Sequence, residues 1–273
     1  MSEDPTAKAR FISAAYRATQ GLVGGRVITP TVDALIDLLG QDLMSCALRR
    51  VDEAGVFHLA LSGGSSPQAL YQRLMIDPQF RGMPWVRTHL WIVDERVVPF
   101  DDERNNFKMI RQLIVDHAPI PVTQVHPMPV EDPEGDVAYE QELRATLGQA
   151  GNRLDYVLLG MGPDGHTASL FPQTPGLSET GRWVVFNDGP LVAAPRPRMT
   201  MTYPLINTAR RIAILITGQG KHAMLSRVAS AGSSPAAVTE LPITGIRPAL
   251  PDTTLAWFLD EAAATGSAPP PKA

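Results

Sequence analysis

A single cysteine, Cys46, is the whole thiol inventory of this 273-residue chain. An intramolecular disulfide and a cysteine-rich metal site are both excluded. Cys46 lies in an apolar, helical-looking stretch, residues 43–48, where a buried thiol is expected, as for most free cysteines. No apolar run approaches the roughly 18 residues that a membrane span needs. The opening MSEDPTAKAR has neither the basic start nor the apolar core of a secretory signal, so the cytosol is the expected compartment. Basic excess is missing too: 24 Lys and Arg stand against 28 Asp and Glu, a formal net charge of -4. No nucleic-acid or membrane partner is expected, although a local anion site can sit within a mildly acidic surface. There is no H-E-x-x-H, no dense carboxylate cluster and no internal repeat, so neither a metal nor a cofactor is expected.

What is present is ordinary globular material, 44% hydrophobic and 19% charged, long enough to bury a substantial core. Residues 1–25 are polar or Gly-rich and read as a loosely attached arm, with a short helix at Ala9–Thr19. Residues 26–264 read as one α/β domain. The run TGSAPPPKA, residues 265–273, reads as a disordered tail.

Within the domain, apolar runs alternate with helical spacing. Strands are expected at Arg26–Thr29, Phe57–Leu61, His89–Val93, Leu154–Leu159, Arg211–Thr217 and Thr253–Leu259, with shorter ones at Arg182–Phe186 and Arg198–Thr202. Helices are expected at Thr31–Asp52, Pro67–Met75, Asn105–His117, Pro133–Leu147 and Gly220–Ala229. Thr31 is a plausible N-cap of the first, and Gly55 lies just past its end. Such alternation predicts a Rossmann-like three-layer α/β/α fold with a mostly parallel central sheet. Ligands of such sheets bind beyond the carboxyl ends of the strands. Chemistry-bearing residues should therefore collect just after strands, and they do so in four places.

After Phe57–Leu61 comes Ser62-Gly63-Gly64-Ser65-Ser66-Pro67. Two glycines admit close backbone approach, Ser65 and Ser66 add donors, and the following helix start favours an anion. This suits phosphate; a plain capped turn is the bland alternative. After Trp91-Ile92-Val93 comes Asp94-Glu95-Arg96, followed by Asp101, Asp102, Arg104, Asn105 and Asn106. Its bland alternative is a solvated loop that caps the Asn105 helix. After Leu154–Leu159 comes Gly160-Met161-Gly162-Pro163-Asp164-Gly165-His166. The glycines formally match G-x-G-x-x-G, but Asp164 would meet a pyrophosphate, and Pro172 and Pro175 cut short the helix that motif requires. A positioned acid/base pair, Asp164 with His166, fits better, because imidazole titrates near neutrality. The other five histidines, His58, His89, His117, His126 and His222, are read as structural. After Ile212–Thr217 comes Gly218-Gln219-Gly220-Lys221, where Lys221 suits an anion; upstream, Arg196 and Arg198 add cations.

Taken together, LSGGSSP, WIVDERVVP, GMGPDGHTASLFP and ITGQGK resemble the 6-phosphogluconolactonase family, within a superfamily that includes glucosamine-6-phosphate deaminase. The resemblance spans roughly residues 57–225, and GPDGHTASLFP is its most specific part. It implies hydrolysis of 6-phospho-D-glucono-1,5-lactone to 6-phosphogluconate, a step of the oxidative pentose phosphate pathway. It implies His166 as catalytic base and Arg96 at the substrate site. On the reading of the loop itself, Asp164 either holds the imidazole in its useful tautomer or stabilises the loop, and Arg96 is the candidate to stabilise the oxyanion or a ring hydroxyl. Gly63, Gly64, Ser65, Ser66, Asp94, Arg198 and Lys221 are implied at the substrate and its phosphate. The chain departs from the family at Asn105-Asn106, often Ser-Asn, and at Pro195-Arg196-Pro197, often a Pro-Pro run. The second departure leaves open whether Arg196 or Arg198 meets the ligand. The partner expected is a small sugar phosphate, and the assembly expected is a monomer or weak dimer.

Two rivals bear on the same residues. An amino-sugar-phosphate deaminase/isomerase would use Asp94 as a proton-transfer base, but such enzymes carry an added acid shortly after the histidine. Here Leu170, Phe171 and Pro172 stand there, and no acid follows until Glu179. An effector-sensing domain of a transcription regulator would need a DNA-binding segment, for which the short N-terminal arm has no room.

Overall fold

The computed structural model describes residues 19–267, apart from 149, 150, 192 and 233. Its central sheet has seven strands in the order β1-β10-β9-β6-β2-β3-β5. These are β1 (Gly25–Thr29), β2 (Phe57–Leu61), β3 (Thr88–Ile92), β5 (Val125–His126), β6 (Tyr156–Leu159), β9 (Arg211–Ile216) and β10 (Thr254–Asp260). Every neighbouring pair is parallel. All residues of β2 and of β6 are buried. Strands buried on both faces need cover on both, which helices supply. The helices are α1 (Val32–Ala54), α2 (Gln68–Ile76), α3 (Asn106–Ile110), α4 (Gly135–Leu147), α5 (Tyr203–Ile206), α6 (His222–Ala231), α7 (Pro235–Glu240) and α8 (Glu261–Thr265).

Local sequence explains the longest of them. Thr31 is extended and its side chain accepts from the Ala34 N–H, while Gly55 closes α1 at φ +76° with its N–H on the Val51 carbonyl. Leu35, Ile36, Leu39, Leu43 and Ala47 form the buried stripe between these caps. Each large apolar side chain so buried contributes about 1.5–3 kcal/mol. Cys46 lies on the same stripe, and burial pushes its thiol up to about 11. It is an inert core residue, as expected.

Chain order reverses at the middle of the sheet. From β2 the chain builds outward through β3 and β5, then returns to place β6 on the other side of β2 and continues to β9 and β10. The carboxyl ends of β2 and β6 flank this switch point, where an open α/β sheet leaves a crevice.

A second sheet was not anticipated. It is antiparallel, in the order β4-β8-β7, from β4 (Asp94–Arg96), β8 (Arg198–Met201) and β7 (Val184–Phe186). Asp94-Glu95-Arg96, expected just past the end of a strand, is thus a strand itself. Val93 explains the change: its N–H donates to Leu61 of the large sheet and its carbonyl accepts from Met201. One residue hands the chain from one sheet to the other. The helix expected over Asn105–His117 holds α-geometry only through α3, then opens into a π-helical turn, Arg111–Val115.

Of the expected N-terminal arm, residues 1–18 lie outside the described residues, and residues 19–24 dock on the domain. Thr19 and Leu22 are buried, and the Trp257 indole donates to the Val23 carbonyl. Apolar burial and an indole that needs an acceptor hold these residues down. The helix expected at Ala9–Thr19 lies outside the described residues except for Thr19. Of the expected tail, Thr265 closes α8 and Gly266 caps it in the left-handed conformation, while 268–273 lie outside the described residues.

Candidate active site

A cavity of about 400 Å³ opens at the switch point. That volume suits a small metabolite. Its walls come from three of the four strand ends singled out above and from the small sheet.

The turn after β2 contributes Ser62, Gly63, Gly64, Ser65 and Ser66. At Gly63 a Cβ would lie 1.8 Å from the Asn106 side chain, so only glycine fits. Asn106 is itself fixed, its amide donating to the Asp94 carbonyl. Helix α2 then starts after Pro67 with no side-chain cap. The Gln68 N–H donates to the Ser65 carbonyl, and the positive dipole end of the helix lies beside Ser65 and Ser66, which favours an anion.

The loop after β6 brings His166 and Asp164 together. His166 Nδ1 and Asp164 Oδ1 are 2.5 Å apart, and the Asp164 carboxylate also accepts the His166 backbone N–H. Burial raises the Asp164 carboxyl, but the bond and charge of His166 outweigh it, and the net direction is down. Asp164 therefore stays ionised and orients the ring. At Gly162 a Cβ would lie 2.1 Å from the imidazole, so that glycine makes room for the ring. The opposite nitrogen, Nε2, is left as the acceptor, and His166 lines the cavity. Phe171 packs on the imidazole at 4.5 Å between centroids.

The small sheet brings the cations. Arg96 and Arg198 are paired residues of β4 and β8, and both line the cavity. Arg198 is buried, and its guanidinium lies 5.7 Å from the Phe171 ring. Desolvation and the Arg96 charge hold it below the usual arginine value. Arg96 donates to the Arg104 carbonyl, and its Nε is buried with no partner among the described residues. Arg196, the other candidate, is exposed and turned to the Gly189 carbonyl. Arg198 is thus the residue at the cavity.

Asp94 also lines the cavity, its Oδ2 accepting from the Ser169 hydroxyl at 2.6 Å. Lys221 is placed differently from expectation. It does not line the cavity, and its ammonium donates to the Met161 carbonyl of the His166 loop at 2.7 Å. A half-buried ammonium needs an acceptor, and that carbonyl is the one within reach. Burial lowers the Lys221 pKa, with the Asp164 charge opposing. Among the described residues no three His, Cys, Asp or Glu side chains are grouped to hold a metal.

A sequence profile of the glucosamine-6-phosphate isomerases/6-phosphogluconolactonase family matches residues 30–257. The chain belongs to that family. It is 37% identical over 251 residues to a 6-phosphogluconolactonase of Synechocystis sp., covering 86% of this chain and 98% of that protein. It is 41% identical over 236 residues to the human GDH/6PGL endoplasmic bifunctional protein. There the match takes in 84% of this chain but only 28% of the larger protein, and for the rabbit counterpart 30%. Among solved structures, a 6-phosphogluconolactonase from Thermotoga maritima superposes with a TM-score of 0.73 at 27% identity, over 86% of this chain and 99% of that one. A monomeric glucosamine-6-phosphate deaminase shares the fold, with a TM-score of 0.71 at 20% identity over 89% of this chain and all of that one. Relatives include proteins named endoplasmic and chloroplastic. Among the described residues no helix is long and apolar enough to cross a membrane.

Two residues within this family fold escaped the sequence reading. Glu95 is buried and accepts the backbone N–H groups of Arg96, Asn106 and Phe107. It ties β4 to the start of α3; desolvation pushes its carboxyl up to about 7 against those bonds. Reading residues 94–96 as a strand would have found it, because alternate side chains point to opposite faces. Asp94 and Arg96 then share the cavity face while Glu95 turns away. Ser169 is the other, and nothing local marked it, since its partners lie on distant strands.

Proposed function

We propose that this protein hydrolyses 6-phospho-D-glucono-1,5-lactone to 6-phosphogluconate. The decisive observation is the His166 imidazole, held through Nδ1 by an ionised Asp164 in the lining of a cavity with paired arginines. That is the arrangement a water-activating base needs beside a developing oxyanion.

Nε2 takes a proton from water as its oxygen bonds to C1. The carbonyl electrons move to oxygen, and Arg96 stabilises the resulting oxyanion. Collapse breaks the bond between C1 and the ring oxygen, which takes the proton back from His166. The new carboxylic acid then ionises to the medium. A lactone is an activated ester, and a single base with one cation suffices for this sequence. Arg198, Ser65, Ser66 and the uncapped start of α2 hold the phosphate, and Asp94 receives a sugar hydroxyl. Lys221, bonded to the Met161 carbonyl behind the cavity wall, adds positive charge near the same phosphate without lining the cavity. Fixing the phosphate fixes C1 near Nε2, which converts binding into rate.

Phe171 supports hydrolysis over amino-sugar deamination. Ring opening and isomerisation need proton-transfer groups at two sites, and an apolar ring covers the flank of His166 where a second acid would assist. The sugar phosphate is the proposed partner, and the cytosol the proposed compartment.

The test is a paired assay on purified protein. Acid release from freshly generated lactone should exceed the spontaneous rate, and glucosamine-6-phosphate should give no ammonia. Ammonia release without lactone hydrolysis would overturn the proposal and move the chemistry to Asp94.

A further inference from the structure

Ser169 spends each of its three polar groups on a different part of the small sheet. Its N–H donates to Thr200 Oγ1 on β8. Its hydroxyl donates to Asp94 Oδ2 on β4. Its carbonyl accepts from the Asn187 amide, just past β7. The residue is only 1% exposed, so these bonds are shielded from water. It sits three residues beyond His166, next to Ala168, whose φ of +50° is uncommon for a non-glycine residue. The loop that carries the imidazole is therefore turned sharply and fastened to the sheet that carries Asp94, Arg96 and Arg198.

The hydroxyl bond has a further consequence for Asp94. That side chain is buried, and Ser169 is its hydrogen-bonding side-chain partner through Oδ2. Since Asp94 lines the cavity, Oδ1 is the acceptor left for a ligand. A carboxylate with one oxygen held by an internal donor has its plane fixed and presents the other in a set direction.

We propose that Ser169 is a positioning residue: its hydroxyl orients Asp94 so that Oδ1 accepts a substrate hydroxyl and aligns C1 with His166. This rests on the lactonase reading above. Ser169 lies in the cavity lining with its hydroxyl committed to Asp94, and the role proposed for it is exerted through Asp94. Its two backbone bonds are independent of the hydroxyl, so removing that hydroxyl leaves the loop fastened.

The experiment is a double-mutant cycle on the full chain with Ser169→Ala, Asp94→Asn and the pair, assayed on the phosphorylated lactone. Ser169→Ala should lower kcat/KM by about 10- to 100-fold, the scale of a small misplacement. In the Asp94→Asn background the same change should do little more, because there is no carboxylate left to orient. Competitive inhibition by inorganic phosphate should stay within about twofold of wild type, since the phosphate end is untouched. A purely structural role would weaken phosphate binding in parallel. Should Ser169→Ala fail to fold, Ser169→Cys keeps the shape with a far weaker donor and should give the same pattern. Fully additive losses, or phosphate inhibition that weakens in step with activity, overturn the proposal alone. A wild-type protein that hydrolyses no lactone overturns the functional reading and this proposal together.

Discussion

Arg96 and Arg198 stand directly opposite one another in the antiparallel pairing of β4 with β8. Like charges so placed destabilise a strand pair. Burial and the Arg96 charge hold the Arg198 guanidinium below its usual value, while the Asp94 and Glu95 charges and bonds to the Pro195 and Ala193 carbonyls offset part of the repulsion. An anion bound between them should relieve the remainder.

Arg198→Met should therefore raise or preserve the melting temperature of the unliganded protein while abolishing stabilisation by phosphate. In the wild type, phosphate at ten times its Kd should add about 1.4 kcal/mol of stability. Thermal unfolding with and without phosphate, on both proteins, checks this. An undiminished phosphate shift in the variant would remove Arg198 from the anion site.

His166→Ala should reduce kcat by about two orders of magnitude or more, because a general base acts on the chemical step. The ring is partly exposed and packs mainly on Phe171, so the fold should persist. Circular dichroism establishes folding and steady-state kinetics the loss. Near-wild-type turnover in a folded variant would remove His166 from the mechanism.

Lys221→Ala should raise KM for the phosphorylated lactone several-fold more than for unphosphorylated gluconolactone, because a phosphate dianion gains most from a nearby ammonium. A smaller loss of kcat on both substrates should accompany it, since the ammonium also anchors the Met161 carbonyl beside the His166 loop. Equal losses on both substrates would leave only the anchoring role.

Stability should fall in acid through buried neutral histidines. Burial, with the charges of His89 and His126, brings His58 down to about 3, and burial with His126 brings His89 to about 4. The unfolded chain takes protons on these side chains from about pH 6.5 downward while the folded chain does not. Stability present above that pH is lost progressively as pH falls towards the folded values. For His58 alone the loss between pH 7 and pH 5 is about 2 kcal/mol as an upper figure. Urea unfolding of wild type and His58→Leu at the two pH values measures it. An equal acid loss in both proteins would show that His58 does not carry it.

Much of the site was legible before any coordinates. The Asp164–His166 pair lies within one short loop, so its geometry follows from glycines that local spacing already marks. The turn at residues 62–67 was legible for the same reason, since turn, glycines and helix start are contiguous. Arg198 over Arg196 was not, because both flank Pro197 and only β8 pairing decides which faces inward. That Asp94–Arg96 forms a strand was not legible, because a three-residue strand carries no period to detect.

The sequence by itself determined the alternation of strands and helices, the strand ends where chemistry collects, and the local acid/base pair. Each of these is set by neighbours along the chain, through backbone freedom, side-chain period and capping. Tertiary structure alone decided that Arg96 meets Arg198, that Ser169 holds Asp94, that Glu95 turns away from the cavity to cap α3, and that Lys221 spends a proton on Met161. Those contacts depend on strand register and on which buried donor finds an acceptor. A one-residue slip of β8 against β4 would turn its side chains to the opposite face.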